Sequence, residues 1–481
     1  MATTLKPGVL NETFSEKIDS TNYMLARIAA GIESGGGVIG IDSPRGLQTL
    51  LRNGLISKEL TEDYQLAFDQ MSSVTASVSG QITAATVNAL TFIDKTGKVD
   101  LGWFEFIYEA GAWRINGTAV TLAEYGITVT GTPAAGDSIL VHVIGNELIF
   151  DVLAVDGYDV PSDPSLSHAL SLGLHNCYTN VRFAMSEALF YVNPTTYPSG
   201  LPVGTYYITS NHGTYGGATT EDGSFSFATS VVVPAGGFIR HTTMGQWRSA
   251  YAKSNVLSGN FVTYKPDGTV LETLSTAEGT GGTNLGTTSS GDPQYKTSED
   301  LNFTTRCAYG SNRWKASAMR QWLNSDAASG WYHKQGIFDF MPQTSPVAGF
   351  LYGLDPELLE VIGECRKRVM KHAADGGGYE DLDEKWFLQS MTEVGFGANG
   401  SVYETPVANG TPKTTPYPFW AGKSQADKIK YLSGAARSWW LRSAYPSVGY
   451  SNYERYVYTS GALSNDTVSN ARGAVPSCCI I

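Results

Sequence analysis

The 481-residue sequence predicts a multidomain α+β protein. It divides into an N-terminal helical segment over residues 1–98, a small β-rich domain over 99–155, a β-rich linker domain over 156–300 and a C-terminal mixed domain over 301–481. Three observations lead there. At roughly 150 residues per compact unit, the length asks for about three of them. The apolar spacing changes from a helical period before residue 72 to strict alternation after residue 99. Helix-capping residues then return beyond residue 310.

The elements follow in order. Ser15 to Ile32 reads as a short helical lead that stops at Gly35-Gly36-Gly37. Residues 44–72 read as helices: Tyr64, Phe68 and Met71 recur at i, i+4 and i+7, and Asn53-Gly54 interrupts the run. This stretch is either a helical docking element or a lid on the next domain. From residue 99 the alternation of Phe104, Phe106 and Tyr108, and of Ile139, Val141 and Val143, marks half-buried strands. Gly117, Gly126, Gly131 and Gly136-Asp137 supply the turns. Residues 166–190 read as a helix carrying His168, His175 and Cys177. That spacing fits no standard metal site, so the three are expected as satisfied polar groups at a helix–sheet junction. Residues 200–275 return to strands, with hairpin signals at Glu221-Asp222-Gly223 and Pro266-Asp267-Gly268. A Gly/Thr/Ser-rich linker spans 275–292.

Beyond it, Ser311 to Ser325 predicts a helix capped by Ser311, with Met319, Trp322 and Leu323 on one face. A second helix starts at Asp355-Pro356-Glu357. Its apolar stripe is Leu358, Val361, Ile362, Cys365 and Val369, and Arg366, Lys367, Arg368 and Lys371 complement its C-terminal end. Asp375-Gly376-Gly377-Gly378 stops it.

Composition excludes several functions. The net charge is −12, which leaves no basic footprint for nucleic acid and no polybasic dock for a membrane. No run of 18 apolar residues spans a bilayer. Five cysteines at irregular spacing form neither a disulfide framework nor a zinc motif, and no cofactor is expected. GxSxG, HExxH and P-loop patterns are lacking. The clustered acids Glu380, Asp381, Asp383 and Glu384 read as a solvated loop rather than a glycosidase pair, though an oxygen-rich loop of this kind also suits Ca²⁺. The expectation is therefore a non-enzymatic protein. Charged residues make up only 16%, while Gly (53), Tyr (26) and Trp (10) are plentiful, as on an extracellular surface. The N-terminus lacks an apolar h-region for export. A virion protein made in a bacterial cytoplasm and released by lysis reconciles the two.

Two stretches carry resemblances. Trp103 to Val143, with a Trp-bearing strand, YGI and TGTPxxGD, resembles a β-module common in phage structural proteins. The last 180 residues resemble phage and gut-bacterial proteins with a C-type-lectin-like fold. These are relatives of the formylglycine-generating-enzyme-type lectin folds that serve as variable proteins of diversity-generating retroelements. The blocks that carry it are YGSNRW (Tyr309 to Trp314), SAMRQWLNS (Ser317 to Ser325), Gly330-Trp331, GFLYGLDPEL (Gly349 to Leu358), DEKWFLQSMTEVG (Asp383 to Gly395), SWWLRSA (Ser438 to Ala444) and GAVPSCCII (Gly473 to Ile481). LPVGTYYIT (Leu201 to Thr209) fits the upstream part. The resemblance implies a C-terminal C-type-lectin-like domain in which Trp322, Trp386, Trp439 and Trp440 anchor the core, each indole N–H finding a partner. Catalysis through paired redox cysteines, as in the formylglycine-generating branch, is not expected: Cys478 and Cys479 are adjacent, and a strand sends them to opposite faces.

Residues 443–472 differ in chemistry. Six Ser, five Tyr and three Asn fill 14 of 30 positions, with no Lys, the mixture that gives a paratope rigid aromatic area and adaptable hydrogen bonding. The resemblance implies a variable, ligand-binding face made of Tyr445, Ser447, Tyr450, Asn452, Tyr453, Tyr456, Tyr458, Ser460, Ser464, Asn465 and Asp466. It also implies the partners. Other virion proteins would be engaged through the N-terminal region, and a host-surface glycan or protein, or mucus, through the C-terminal domain. A homo-oligomer is expected, with a trimer the commonest fibre arrangement. The expected role is a head fibre, capsid decoration or tail-associated protein. The alternative is a purely structural virion protein whose Tyr-rich face is a subunit interface.

Overall fold

The computed structural model describes residues 43–56, 64–184, 197–209, 224–241, 260–266, 269–275, 310–333, 348–405 and 413–481, with residues 3–5, 188–192, 283–284, 306 and 335 besides. Among the described residues the fold is mostly β, with 40% in strands, and this overturns the α+β expectation. Among the described residues the α-helices are Pro44–Arg52, Ala89–Thr96, Ala318–Leu323 and Pro356–Val361, none longer than nine residues. No described helix is long and apolar enough to cross a membrane.

Among the described residues of the N-terminal segment, the helices are the short Pro44–Arg52 and Ala89–Thr96, and the longest element is a strand. Ser43 caps Pro44–Arg52 by accepting from the Gly46 N–H, with Pro at the first turn. The lead from Ser15 to Ile32 lies outside the described residues. Tyr64–Ser79 is a 16-residue strand. It pairs antiparallel with the 18-residue strand Ser138–Val155, with a register shift between Met71 and Ser73. Phe68 enters one core and Met71 another, so their helical spacing places them on no common face. Past the shift, Val74, Ala76 and Val78 turn inward while Ser73, Thr75 and Ser77 face water.

Ser138–Val155 also pairs with Gly102–Glu109 and with Leu170–Leu174. Pro476–Ile480 lies against Leu170–Leu174, and Trp386–Leu388 against Pro476–Ile480. One nine-stranded sheet thus runs from the first hundred residues to the last ten and crosses the boundaries expected at 98, 155 and 300. Two cores lie along it. The smaller gathers Met71, Phe92, Phe106, Trp113, Ile139, Val141 and Val143, extending the expected β-domain back to Met71. The larger joins Leu47, Phe68, Phe150, Leu172, Trp314, Trp386, Trp440 and Ile480.

Other expected helices are strands. Residues 170–174 and 180–182 replace the helix read at 166–190. His168 bonds Asp156 at 2.9 Å and His175 bonds Asp151 at 2.8 Å, while Cys177 is buried. The helix Ala318–Leu323 is capped by Ser317, not Ser311, after a 3₁₀ turn at Trp314–Ala316. The helix opened by Asp355 ends at Val361. Gly363 then lies so close to Ile481 that a Cβ would sit 1.9 Å from its side chain. Cys365–Met370 beyond it is a strand, so the basic residues are not a helix end. Gly376, Gly377 and Gly378, all at positive φ, turn the chain into Tyr379–Glu384. The expected acidic loop is therefore a strand, and each of its acids meets an arginine. Arg366 pairs with Asp383 and Arg368 with Asp381 directly across the strands, while Glu380 meets Arg313 and Glu384 meets Arg320. The hairpins Gly204–Thr209/Ser224–Thr229 and Asn260–Tyr264/Val270–Ser275 form where the turn signals predict them, with Glu221, Asp267 and Gly268 outside the described residues.

Candidate functional site

The tyrosine-rich stretch belongs to a five-stranded sheet ordered Asn180–Arg182, Ala471–Gly473, Trp439–Ala444, Tyr453–Val457, Leu463–Thr467. Its frame is dry. Trp322, Trp386, Trp439 and Trp440 are at most 1% exposed. Trp440 donates to Val181 O at 2.9 Å, Trp439 to Lys428 O at 3.1 Å and Trp322 to Ala348 O at 3.1 Å.

Beneath the sheet lies a sealed ionic cluster. Arg442 forks onto Glu393 at 2.6 and 2.7 Å. Lys367 bonds Asp159, donates to Tyr417 Oη at 2.9 Å and lies 3.4 Å from Glu393. Ser171 and Tyr417 also donate to Asp159, and the Cys479 thiol lies 3.3 Å from it. Burial opposes the charge on Lys367, but Asp159 and Glu393 outweigh it and hold its pKa above the usual lysine value. Burial likewise raises Asp159, and Lys367 more than reverses that. Glu404 makes no ion pair among the described residues, although Arg442 lies near enough to favour its charge. Burial pushes it up to about 7, although the Met370 N–H and the Ser443 hydroxyl both donate to it. Cys478 and Cys479 are wholly buried, and burial raises both thiols well above the usual range.

Above this frame, residues 445–453 form a compact loop closed by its own backbone. Tyr445 N–H donates to Tyr453 O, Tyr453 N–H to Tyr450 O and Tyr450 N–H to Ser447 O. Three side chains from elsewhere clamp the loop. Asn312 donates through Nδ2 to Tyr453 O at 2.8 Å, and its N–H donates to Ser451 O. Arg306, forked onto Asp375, donates to Ser451 O. His372 accepts the Ala374 N–H on Nδ1, which leaves Nε2–H to donate to Ser447 O at 2.9 Å. All three clamps grip main-chain carbonyls of the loop.

The loop gathers Tyr445, Tyr450 and Tyr453 into one nest, with ring centroids 5.7, 5.2 and 6.3 Å apart. The Arg455 guanidinium lies over Tyr445 at 4.6 Å. Tyr450 is 39% exposed, Val448 at the tip 77%, and Tyr445, Tyr453 and Ser447 are half-buried. Asn465 is the cross-strand partner of Arg455 and shares its face. Tyr458 and Ser460 are exposed on the next turn. There Gly461 is held at positive φ, and a Cβ would collide with Gln425 O.

The rest of the expected face is divided from it by strand alternation. Asn452 and Glu454 are wholly buried, and Tyr456 is 5% exposed. Tyr456 packs on Trp440, and Arg472 lies 3.8 Å over its ring. Ser464 and Asp466 pair across the strands with Tyr456 and Glu454 and so share that second face, where Asp466 is held by Arg472 and Asn470. Asn452 and Tyr456 are therefore frame residues, and Ser464 and Asp466 do not join the nest. The sequence reading missed Arg455, whose signal is its two-residue offset from Tyr453, and the clamps Arg306, Asn312 and His372, which nothing local reveals.

Two clefts of about 530 Å³ lie elsewhere, one beside His175 and Asn176 and one between Arg320, Gln321, Trp331 and Lys385. Among the described residues no group of three His, Cys, Asp or Glu side chains is placed to hold a metal ion.

Residues 296–481 match the family model of a domain of unknown function, DUF6273. Comparison with curated proteins finds no match, and comparison with solved structures finds none. The matched segment shares its interior with earlier residues: Lys367 meets Asp159, Trp440 meets Val181, and Pro476–Ile480 pairs with Leu170–Leu174.

Proposed function

We propose that this chain is a phage virion protein, a head fibre, decoration or tail-associated component. In this reading its tyrosine nest binds a host-surface or mucosal ligand without turnover. The observation that carries it is that Asn312, Arg306 and His372 clamp residues 447–453 through main-chain carbonyls. A loop anchored through its main chain keeps its place when the exposed side chain at its tip, Val448, is replaced, which is what a recognition surface on a fixed frame requires. Rigid phenol rings add contact area at low entropic cost. The sequence blocks that resemble those of variable lectin-fold proteins flank this loop and support the same reading.

The test is a binding screen of the purified chain on immobilised mucin and a glycan array, against Tyr450→Ala and the double variant Tyr450→Ala/Tyr458→Ala. Retained melting temperature with binding weakened tenfold or more supports the reading. Unchanged binding overturns it. Loss of concentration-dependent self-association in the same variants, with no ligand bound by the parent chain, assigns the nest to a subunit interface instead.

A further inference from the structure

The nest contains a cation, Arg455, that makes no ion pair among the described residues, and its Nε–H is buried without a partner among them. Glu454, its neighbour in sequence, turns to the opposite face of the strand, where it is sealed from water with both oxygens unbonded. Burial and nearby Glu404 push the Glu454 carboxyl well above its usual range, towards the neutral form. The stem and plane of Arg455 are already fixed on Tyr445. A pre-oriented guanidinium with unspent donors is matched by a planar, two-oxygen anion, which it binds as a fork.

Resting on the recognition-face reading, we propose that the nest takes a carboxylate-bearing saccharide, with the carboxylate on Arg455 and the sugar ring against Tyr450 and Tyr453. A pyranose has an apolar C–H face and a polar rim. Ring faces and edges of the tyrosines meet the first, and Asn465 and Ser447 lie where hydroxyls of the second need donors and acceptors. An extended acidic peptide is the less favoured occupant, because the nest is a single cluster of rings about one cation rather than a row of them. The overall charge of −12 disfavours long polyanions and leaves recognition to a single acidic sugar at close range.

Calorimetric titration of the full chain tests this with matched probes: tetragalacturonic acid, its fully methyl-esterified form and an aspartate-rich octapeptide. The acid should bind at least about tenfold more tightly than the ester, the effect of one charge-assisted fork. Arg455→Gln should abolish that preference while ester binding and melting temperature stay unchanged. Arg455→Lys should restore it only in part. Tyr450→Ala should weaken acid and ester alike. Equal binding of acid and ester that still depends on Tyr450 overturns this inference and leaves the recognition face standing. A preference that survives Arg455→Gln, or tighter binding of the peptide, also overturns it. No binding of any of these probes overturns this inference, while the mucin and glycan-array screen decides the reading beneath it.

Discussion

Alternate residues of the strand Tyr453–Val457 and its approach meet opposite environments. Asn452, Glu454 and Tyr456 face the indole frame and are sealed, whereas Tyr453 and Arg455 join Tyr445 and Tyr450 at the surface. The frame is held by side chain on side chain, Arg442 on Glu393, Lys367 on Asp159 and Trp440 on Tyr456, and by buried indoles on main-chain carbonyls. The surface loop is held by side chain on main chain. The difference teaches where change is tolerated. A frame residue carries its partners' hydrogen bonds, so replacing it strands them. The bonds from Asn312, Arg306 and His372 end on loop carbonyls, so replacing the exposed tip residue Val448 breaks none of them.

The sharpest way to break this contrast is to remove part of the frame outright. Residues 296–481 produced alone lack Asp159, Val181 and Leu170–Leu174, and should give no cooperative unfolding transition in circular dichroism. A sharp transition would show that the matched segment is self-sufficient. Trp440→Ala in the full chain should cost about 3–5 kcal/mol, because it removes a buried indole and its bond to Val181. Denaturant titration measures it, and a loss below about 1 kcal/mol would return Trp440 to the class of tolerant positions.

Glu404 gives a pH-dependent member of the series. Its folded pKa of about 7 exceeds the ordinary 4.5, so the folded state binds its proton more tightly than the unfolded chain does. That contribution is full below about pH 4.5 and fades as pH rises through about 7, by up to about 3 kcal/mol. Glu404→Gln should remove this slope from a stability profile taken between pH 5 and 8; parallel profiles would refute it. At the small end, Tyr450→Ala and Val448→Ser should change stability by less than about 0.5 kcal/mol. A larger loss in either would make the loop part of the frame.

The sequence revealed what depends on neighbours along the chain and concealed what depends on distant partners. The indole anchors, the hairpins at 204–229 and 260–275, and the strands of the small β-domain follow from local chemistry. The strand Tyr64–Ser79 was also legible, in Val74, Ala76 and Val78 alternating with Ser73, Thr75 and Ser77. Three residues at helical spacing outweighed that signal only because a bulged strand changes phase. Cys365–Met370 was less accessible. Its apolar and basic residues suit the end of a helix, and only the approach of Ile481 to Gly363 and the facing acids of Tyr379–Glu384 decide for a strand. For the site, composition located the tyrosine surface. It did not tell Tyr453 from Tyr456, because alternation has no phase until a register is set, and Trp440 opposite Tyr456 sets it.

The insertion of Pro476–Ile480 between Leu170–Leu174 and Trp386–Leu388 bears on how the molecule is made. Cys479 and Ser171 face each other across the strands although 308 positions separate them along the chain. Until the later strand emerges from the ribosome, the earlier one offers an open edge of unpaired N–H and C=O groups to any passing strand. Assembly governed by so remote a pairing is slow, and the nascent protein calls for a chaperone's shelter during the wait.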